Sequence, residues 1–186
     1  MKSMNLQKSL KTEVVVSIIL ILIILASRFS GHIWNFTAVG GAALFAGAYF
    51  SKKSFSVFTV FAGLLVSDLV IGMHSQMPAV YISYALMIGL GLLLANNPPR
   101  TKSALVTIGG SILFYLVTNF AVWFEGRLYP MTVDGLLQSY IMAVPFFKAQ
   151  FISDLLSAGI LFEIAHQFKL LEKPSAANEQ LPRTLT

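Results

Sequence analysis

The stretch FAGLLVSDLVIGMHSQMP, residues 61–78, carries one aspartate, Asp68, inside an otherwise apolar run. The same Ser-Asp-Leu sequence recurs in FISDLLSAG, residues 151–159, where it contains Asp154. Apolar runs of this length predict membrane-spanning helices. At the centre of such a helix an acidic side chain costs roughly 2.5–3.5 kcal/mol on insertion scales. Two such residues indicate a role that offsets this cost.

The composition supports a membrane location for the whole chain. Of its 186 residues 56% are hydrophobic and 11% are charged, whereas soluble domains average about 25% charged residues. So little charge does not cover a water-facing surface, and we expect a single-domain integral membrane protein. The chain has no cysteine, which excludes disulfides, thiolate metal ligands and a cysteine nucleophile.

Six apolar segments divide the chain, and they predict an all-α bundle of six transmembrane helices. They cover residues 13–28, 35–50, 55–73, 78–95, 103–124 and 146–166. The first segment follows a basic start, as in a signal peptide, but Arg28 and Phe29 make a poor cleavage site.

The domain organisation follows from these segments. We expect a basic cytoplasmic N-terminus over 1–12, the transmembrane domain over 13–166 and a flexible cytoplasmic tail over 167–186. The second segment is short and rich in small residues. Gly40, Ala43 and Gly47 share a face there, which predicts close packing against another helix.

The basic residues predict the orientation. If all six segments span, ten Lys and Arg residues fall on one side and three, Arg28, Arg127 and Lys148, on the other. The positive-inside rule then places both termini in the cytoplasm of a bacterial inner-membrane protein. This distribution explains the net charge of +5 as a topology signal, so we expect no nucleic-acid partner.

With this orientation, the polar residues of the spans concentrate in their outer halves. This one-sided distribution predicts a pocket that opens to the outside, rather than an ion pathway through the full thickness. The predicted substrate-binding residues are Asn35, Asp68, Tyr84, Tyr115, Asn119, Trp123, Gln150 and Asp154.

Helical spacing supports this pocket. Ser111, Tyr115, Asn119 and Trp123 recur every four residues and share one face, which alternates hydrogen-bonding and aromatic groups. Such chemistry suits a small planar ligand. Trp123 also fits an aromatic belt at the membrane interface, and Asn35 also fits a helix cap.

The charge and the connections of the pocket give two more expectations. Its ionisable groups are acidic and no Lys or Arg is expected at their depth, which favours a cationic or hydrogen-bond-donating solute. The external connection 125–145 is expected to act as a lid. We predict no cofactor and no metal site.

Four stretches carry a resemblance that covers most of the chain from residue 35 onward. They are NFTAVGGAALFAGAYF (35–50), LLVSDLVIGMH (64–74), LVTNFAVWFEGRLYPMTVDGLL (116–137) and YIMAVPFFKAQFISDLL (140–156). They resemble an uncharacterised bacterial family of predicted membrane transport proteins. The six-span architecture is in turn similar to the S component, the substrate-binding subunit, of ECF-type vitamin transporters.

The resemblance implies binding of a vitamin-like solute, a precursor or a metal complex from outside, with an ATP-driven energising module as partner. Many S components carry an Ala-x-x-x-Ala pattern on the first helix for docking to that module. The first span here, VVVSIILILIILAS (14–27), has no such pair. A solitary carrier, or docking through the alanines of the second span, therefore stays open.

Three hypotheses follow. The first is a membrane-embedded substrate-binding or uptake protein that is not an enzyme. The second is an intramembrane enzyme that acts on a lipid head group with Asp68 and Asp154 as acid and base. The third is an assembly subunit in which these acids fix the helix register.

The orientation can be tested with single cysteines, since the chain has none of its own. In intact cells, a cysteine at Asp134 should react with an impermeant thiol reagent, and one at Ser175 should not, because the positive-inside rule places the two positions on opposite sides. The reverse labelling pattern would overturn the orientation.

Overall fold

The computed structural model describes residues 2–30, 35–95, 97–168 and 170, with side chains from residue 10 onward. Within these ranges the chain forms six α-helices and no strand. The helices are α1 (Lys2–Phe29), α2 (Val39–Tyr49), α3 (Lys53–Ile71), α4 (Met77–Gly91), α5 (Arg100–Phe124) and α6 (Val133–Gln167). The predicted all-helical class is confirmed.

Local sequence signals set several helix boundaries. Pro78 lies in the first turn of α4 and Pro99 immediately precedes α5, positions that tolerate the missing N–H of proline. Gly72 ends α3 with a φ of 120°, which only glycine adopts without strain. The Thr132 side chain caps α6 by accepting a hydrogen bond from the Gly135 amide at 3.2 Å.

Five helices are long and apolar enough to cross a membrane. They include most of α1 and all of α3, α5 and α6, and α4 together with its following 3₁₀ turn, Leu92–Leu94. Large apolar side chains on their outer faces are exposed. In a bilayer these faces would lie against lipid.

Helices α1 and α3 run parallel, side by side. Ser17 shares a 2.8 Å hydroxyl hydrogen bond with Thr59, and Arg28 pairs with Asp68 further along both helices. Since α3 runs in the same direction as α1, the segment between them must bring the chain back to the end of the bundle where α1 began.

Helix α2 makes this return. At its start the Ala38 amide donates to Ser27 Oγ at 3.1 Å, and after its end Ser51 donates to Glu13 from its amide and hydroxyl at 3.0 and 2.7 Å. Glu13 and Ser27 are 14 residues apart on α1, which is about 21 Å. The predicted span over 35–50 is therefore helical only over Val39–Tyr49, about 16 Å.

Burial on all sides compensates for this short length. Every residue of α2 from Val39 to Ala48 is buried, which fits a helix that is hydrophobic all round. The alanines within α2 are among these buried residues, which argues against docking of a partner through them.

The glycines of α2 allow its backbone to touch two neighbours. A Cβ on Gly47 would lie 2.0 Å from the Ile88 carbonyl oxygen of α4, and one on Gly40 would lie 2.0 Å from Asp154 Oδ1 of α6. Gly91 of α4 faces Gly47 across the same contact. The two predicted packing glycines therefore meet two different helices.

Helix α6 begins earlier than the sequence pattern indicated. Residues 133–145, predicted as part of an external lid, form the first third of one helix that continues through Pro145. The connection after α5 is consequently limited to 125–132. At 35 residues, α6 is about 52 Å long, well beyond the roughly 30 Å of a bilayer core.

The alternating directions of the helices give the bundle two ends. At the upper end, α1, α3 and α5 finish and α2, α4 and α6 begin. The opposite end is the lower end.

The contact between α2 and α4 can be tested with matched glycine substitutions. Gly47→Ala should destabilise the protein in detergent by about 1–3 kcal/mol, the usual cost of overpacking, because its methyl group meets backbone atoms. Gly89→Ala on α4 is the control, since nothing lies within 4 Å of its Cβ position and alanine favours a helix. Equal thermal melting of the two variants would contradict this packing.

Candidate functional site

A cavity of about 320 Å³ lies at the upper end of the bundle, between α5, α6 and the segments that precede α2 and α4. Its wall combines neutral hydrogen-bonding groups, one histidine and several aromatic rings. The polar and aromatic residues of the wall are Asn35, His74, Gln76, Phe114, Tyr115, Thr118, Asn119, Phe146, Phe147 and Gln150. Four predicted site residues, Asn35, Tyr115, Asn119 and Gln150, are thus brought together.

Hydrogen bonds orient the α5 side of this wall. Asn119 Nδ2 donates to the Tyr115 carbonyl at 2.8 Å, which leaves its second N–H and its amide oxygen for other partners. The Tyr115 hydroxyl donates to the Tyr140 carbonyl of α6 at 2.6 Å, and its ring packs on Phe147 with centroids 4.6 Å apart. Contacts to α6 therefore hold Tyr115 in place.

Asn35 has a left-handed backbone, with a φ of 62°, a conformation that asparagine adopts more readily than most residues. The N-cap of α2 is Ala38, without a side-chain cap. The alternative role of Asn35 as the cap of that helix is therefore wrong, and its side chain lies at the cavity instead.

Two predicted aromatic residues are not among those that line the cavity. Tyr84 is buried and packs on Phe114 with centroids 4.8 Å apart, so it supports the wall from behind. Trp123 Nε1 donates to the carbonyls of Pro130 and Thr132, both at 3.1 Å. Trp123 therefore fastens the connection between α5 and α6.

Asp68 is only 2% exposed and forms an ion pair with Arg28 of α1. The Tyr81 hydroxyl donates to its second oxygen at 2.9 Å. The expectation that no basic residue reaches this depth is wrong, because the long Arg28 side chain extends from the last turn of α1 along α3. Asp68 thus joins three helices at the upper end.

Asp154 is 1% exposed and has neutral donors. Its Oδ2 accepts hydrogen bonds from Ser111 Oγ at 2.8 Å and from Gln150 Nε2 at 3.3 Å. Gly40 of α2 provides the space for this carboxyl group, because any side chain there would collide with it.

The two acids therefore occupy separate hydrogen-bonded clusters. Neither is among the described residues that line the upper cavity, although Gln150 both lines the cavity and bonds Asp154. A direct contact with a solute stays a prediction for Asp68 and Asp154.

Sequence reasoning missed Arg28 as the partner of Asp68, and it did not include the loop residues Gln76 and His74 in the predicted site. Arg28 lies at the very end of an apolar span, a position from which an arginine can extend along the helix surface. That signal could have identified it. The loop residues carry no comparable signal, since helical periodicity does not extend to the segment before α4.

A second cavity, of about 200 Å³, lies between α5 and α6 at the lower end. Arg100 and Glu163 form a bidentate ion pair at its wall, with N–O distances of 2.8 and 2.9 Å. Small residues such as Ser103, Ala104 and Gly159 form much of the remainder. The upper cavity is larger than this second one and holds more polar groups, and we take it as the candidate site.

The ion pair makes a prediction about stability. Asp68→Asn should destabilise the protein by about 3 kcal/mol, the lower end of the range for breaking a buried pair, because 15% of the Arg28 side chain stays exposed. The double variant Arg28→Gln/Asp68→Asn should recover much of this loss, since it leaves no unpaired charge. Thermal melting of the single and double variants measures the coupling, and strictly additive losses would contradict the pairing.

Comparison with known proteins gives one match. No curated protein and no solved structure matches the chain. A family model described as a family of unknown function, DUF6580, matches residues 8–177. Since this match covers nearly the whole chain, the protein belongs to the DUF6580 family.

Proposed function

We propose that this chain is a membrane-embedded binding or uptake protein for a small, polar, planar solute that enters from the upper end of the bundle. The observation that carries the proposal is the upper cavity, where Asn119, Gln150 and Asn35 meet the ring of Tyr115. Amide groups recognise hydrogen-bonding edges, and aromatic rings cover flat faces.

The size of the cavity supports a small ligand. Its volume of about 320 Å³ lies near the lower end of the 300–1,000 Å³ typical of small-molecule sites. A single or fused ring with a few polar substituents fits this space, as a vitamin-like molecule or its precursor would. Aromatic and amide groups in one enclosure are typical of such sites.

The charges around the cavity favour a neutral solute over the cationic one that the acidic residues suggested. Arg28 neutralises Asp68, and Asp154 is enclosed behind Gln150. Asn35, Thr118 and the remaining polar groups of the wall are neutral apart from His74. Recognition would therefore depend on hydrogen bonds and stacking.

The alternative functions have less support from the geometry. An enzyme with Asp68 and Asp154 as acid and base needs both groups at one substrate, whereas the two are engaged in separate clusters. The assembly hypothesis fits Asp68 well, because its pair with Arg28 joins α3 to α1. It leaves the polar cavity without a role.

We place the protein in a bacterial inner membrane with both termini in the cytoplasm, so that the upper end faces outward. The distribution of basic residues supports this orientation. As in the ECF S components that the chain resembles, an ATP-driven module is the partner we propose for energising uptake. The exposed apolar faces of the long helices are available to lipid and to such a module.

The site can be tested by mass spectrometry of the small molecule that copurifies with the detergent-solubilised protein. Asn119→Leu removes the amide at nearly equal volume, and Ala143→Trp fills the cavity. Each should reduce the copurified molecule at least tenfold per mole of folded protein, which corresponds to about 1.4 kcal/mol.

Leu116→Trp is the matched control, because this exposed residue of α5 lies outside the cavity. It should leave the copurified amount unchanged. A molecule that persists in both cavity variants, or that is lost equally in the control, would refute binding at this site.

A further inference from the structure

Among the described residues, Asp154 differs from the other buried aspartate, Asp68, in having no positively charged partner. The described residues contain two ion pairs, Arg28–Asp68 and Arg100–Glu163, and Asp154 takes part in neither. Its hydrogen-bond donors are the Ser111 hydroxyl and the Gln150 side-chain amide. At 1% exposure it lies well inside the bundle.

No charged group on the neighbouring helices compensates for it. The α2 residue that faces it is Gly40, and α5 presents the Ser111 hydroxyl. Helix α4 contributes the phenol of Tyr84, which interacts electrostatically with Asp154 and also with Arg28 and Asp68.

On α6 itself, Lys148 and Glu163 are the charged residues nearest to Asp154 in the sequence. Lys148 is exposed on the surface, and Glu163 pairs with Arg100 at the lower end. Among the described residues, no acidic or basic side chain therefore bonds Asp154.

An ionised carboxylate in such a place is expensive. Moving an unpaired charge out of water costs several kcal/mol even after the protein relaxes, and a bilayer adds to that cost. Two hydrogen bonds to neutral donors offset only part of it, at about 0.5–3 kcal/mol each. A proton on the acid removes the charge and its cost.

The carboxyl group also has a route to the cavity. Gln150 lies one helical turn before Asp154, donates to it at 3.3 Å and lines the cavity. A change in the charge of Asp154 changes what the Gln150 amide can donate and accept. The Gln150 side chain therefore connects Asp154 to water or solute that enters the cavity from the upper end.

We propose that Asp154 is a proton-binding site, and that Gln150 links its protonation to the occupancy of the upper cavity. Solute uptake would then be accompanied by a proton taken and released on the cavity side. The link to uptake rests on the proposed function, whereas the proton site itself does not.

Infrared spectroscopy of the protein in lipid nanodiscs tests the proton site without any solute. The chain has three aspartates, Asp68, Asp134 and Asp154, so carbon-13 labelling of aspartate marks a small set of carboxyl groups. At neutral pH in sodium-free buffer, the wild-type protein should show the C=O stretching band of a protonated carboxyl group. The band should shift on labelling and disappear in Asp154→Asn.

The double variant Arg28→Gln/Asp68→Asn should keep the band, because it leaves Asp154 and its hydrogen-bond donors Ser111 and Gln150 unchanged. A wild-type spectrum with aspartate carboxylates alone would overturn the proposal, and that measurement does not depend on any variant folding. A band that survives Asp154→Asn would overturn it as well.

The link to the cavity has its own test. Gln150→Leu should shift the Asp154 band, because the acid loses a hydrogen bond. Thr118→Val should not shift it, because the Thr118 hydroxyl bonds the Phe114 carbonyl of α5 and not Asp154. An unchanged band in Gln150→Leu would refute the link. Since the solute assay is separate, failure of the proton site and failure of the proposed binding function give different results.

Discussion

The close approach of the α2 backbone to its neighbours is the constraint on which the rest of the structure depends. In lipid, helices associate through van der Waals contact and hydrogen bonds rather than through removal of apolar surface from water. Gly47 brings α2 against the Ile88 carbonyl of α4, and Gly40 brings it against α6. The shortest helix, α2, can occupy the centre because most of its residues are glycine or alanine. The long helices are arranged around it and shield it from lipid.

This arrangement also explains why two aspartates with the same flanking residues differ in role. Asp68 lies between α1, α3 and α4, where Arg28 and Tyr81 reach it, so it acts as a structural connection. Asp154 lies against Gly40, and the missing side chain of that glycine provides its place. Its donors there are the neutral side chains of Ser111 and Gln150. The same packing that makes the bundle compact thus isolates one acid.

The upper cavity is a consequence of how α5 and α6 meet. Side chains of Tyr115 and Tyr140 bond backbone carbonyls across these helices, and Trp123 holds the short connection between them. These hydrogen bonds connect α5 to α6 beside the polar wall. Because Gln150 belongs both to the wall and to the Asp154 cluster, binding and proton chemistry are joined in our proposals.

The sequence by itself determined the helical class, the approximate helix positions, the small-residue face of α2 and four residues of the cavity wall. These features depend on local composition and on helical periodicity, which neighbouring residues set. Only the tertiary structure decided that Arg28 neutralises Asp68, that α2 is short and enclosed, and that α6 extends from Val133. A long arginine side chain can reach several positions, and an amphipathic segment such as 133–144 can lie at the membrane surface or continue a helix. Contacts between residues that lie far apart in the sequence decided among these states, and no local pattern in the sequence records such contacts.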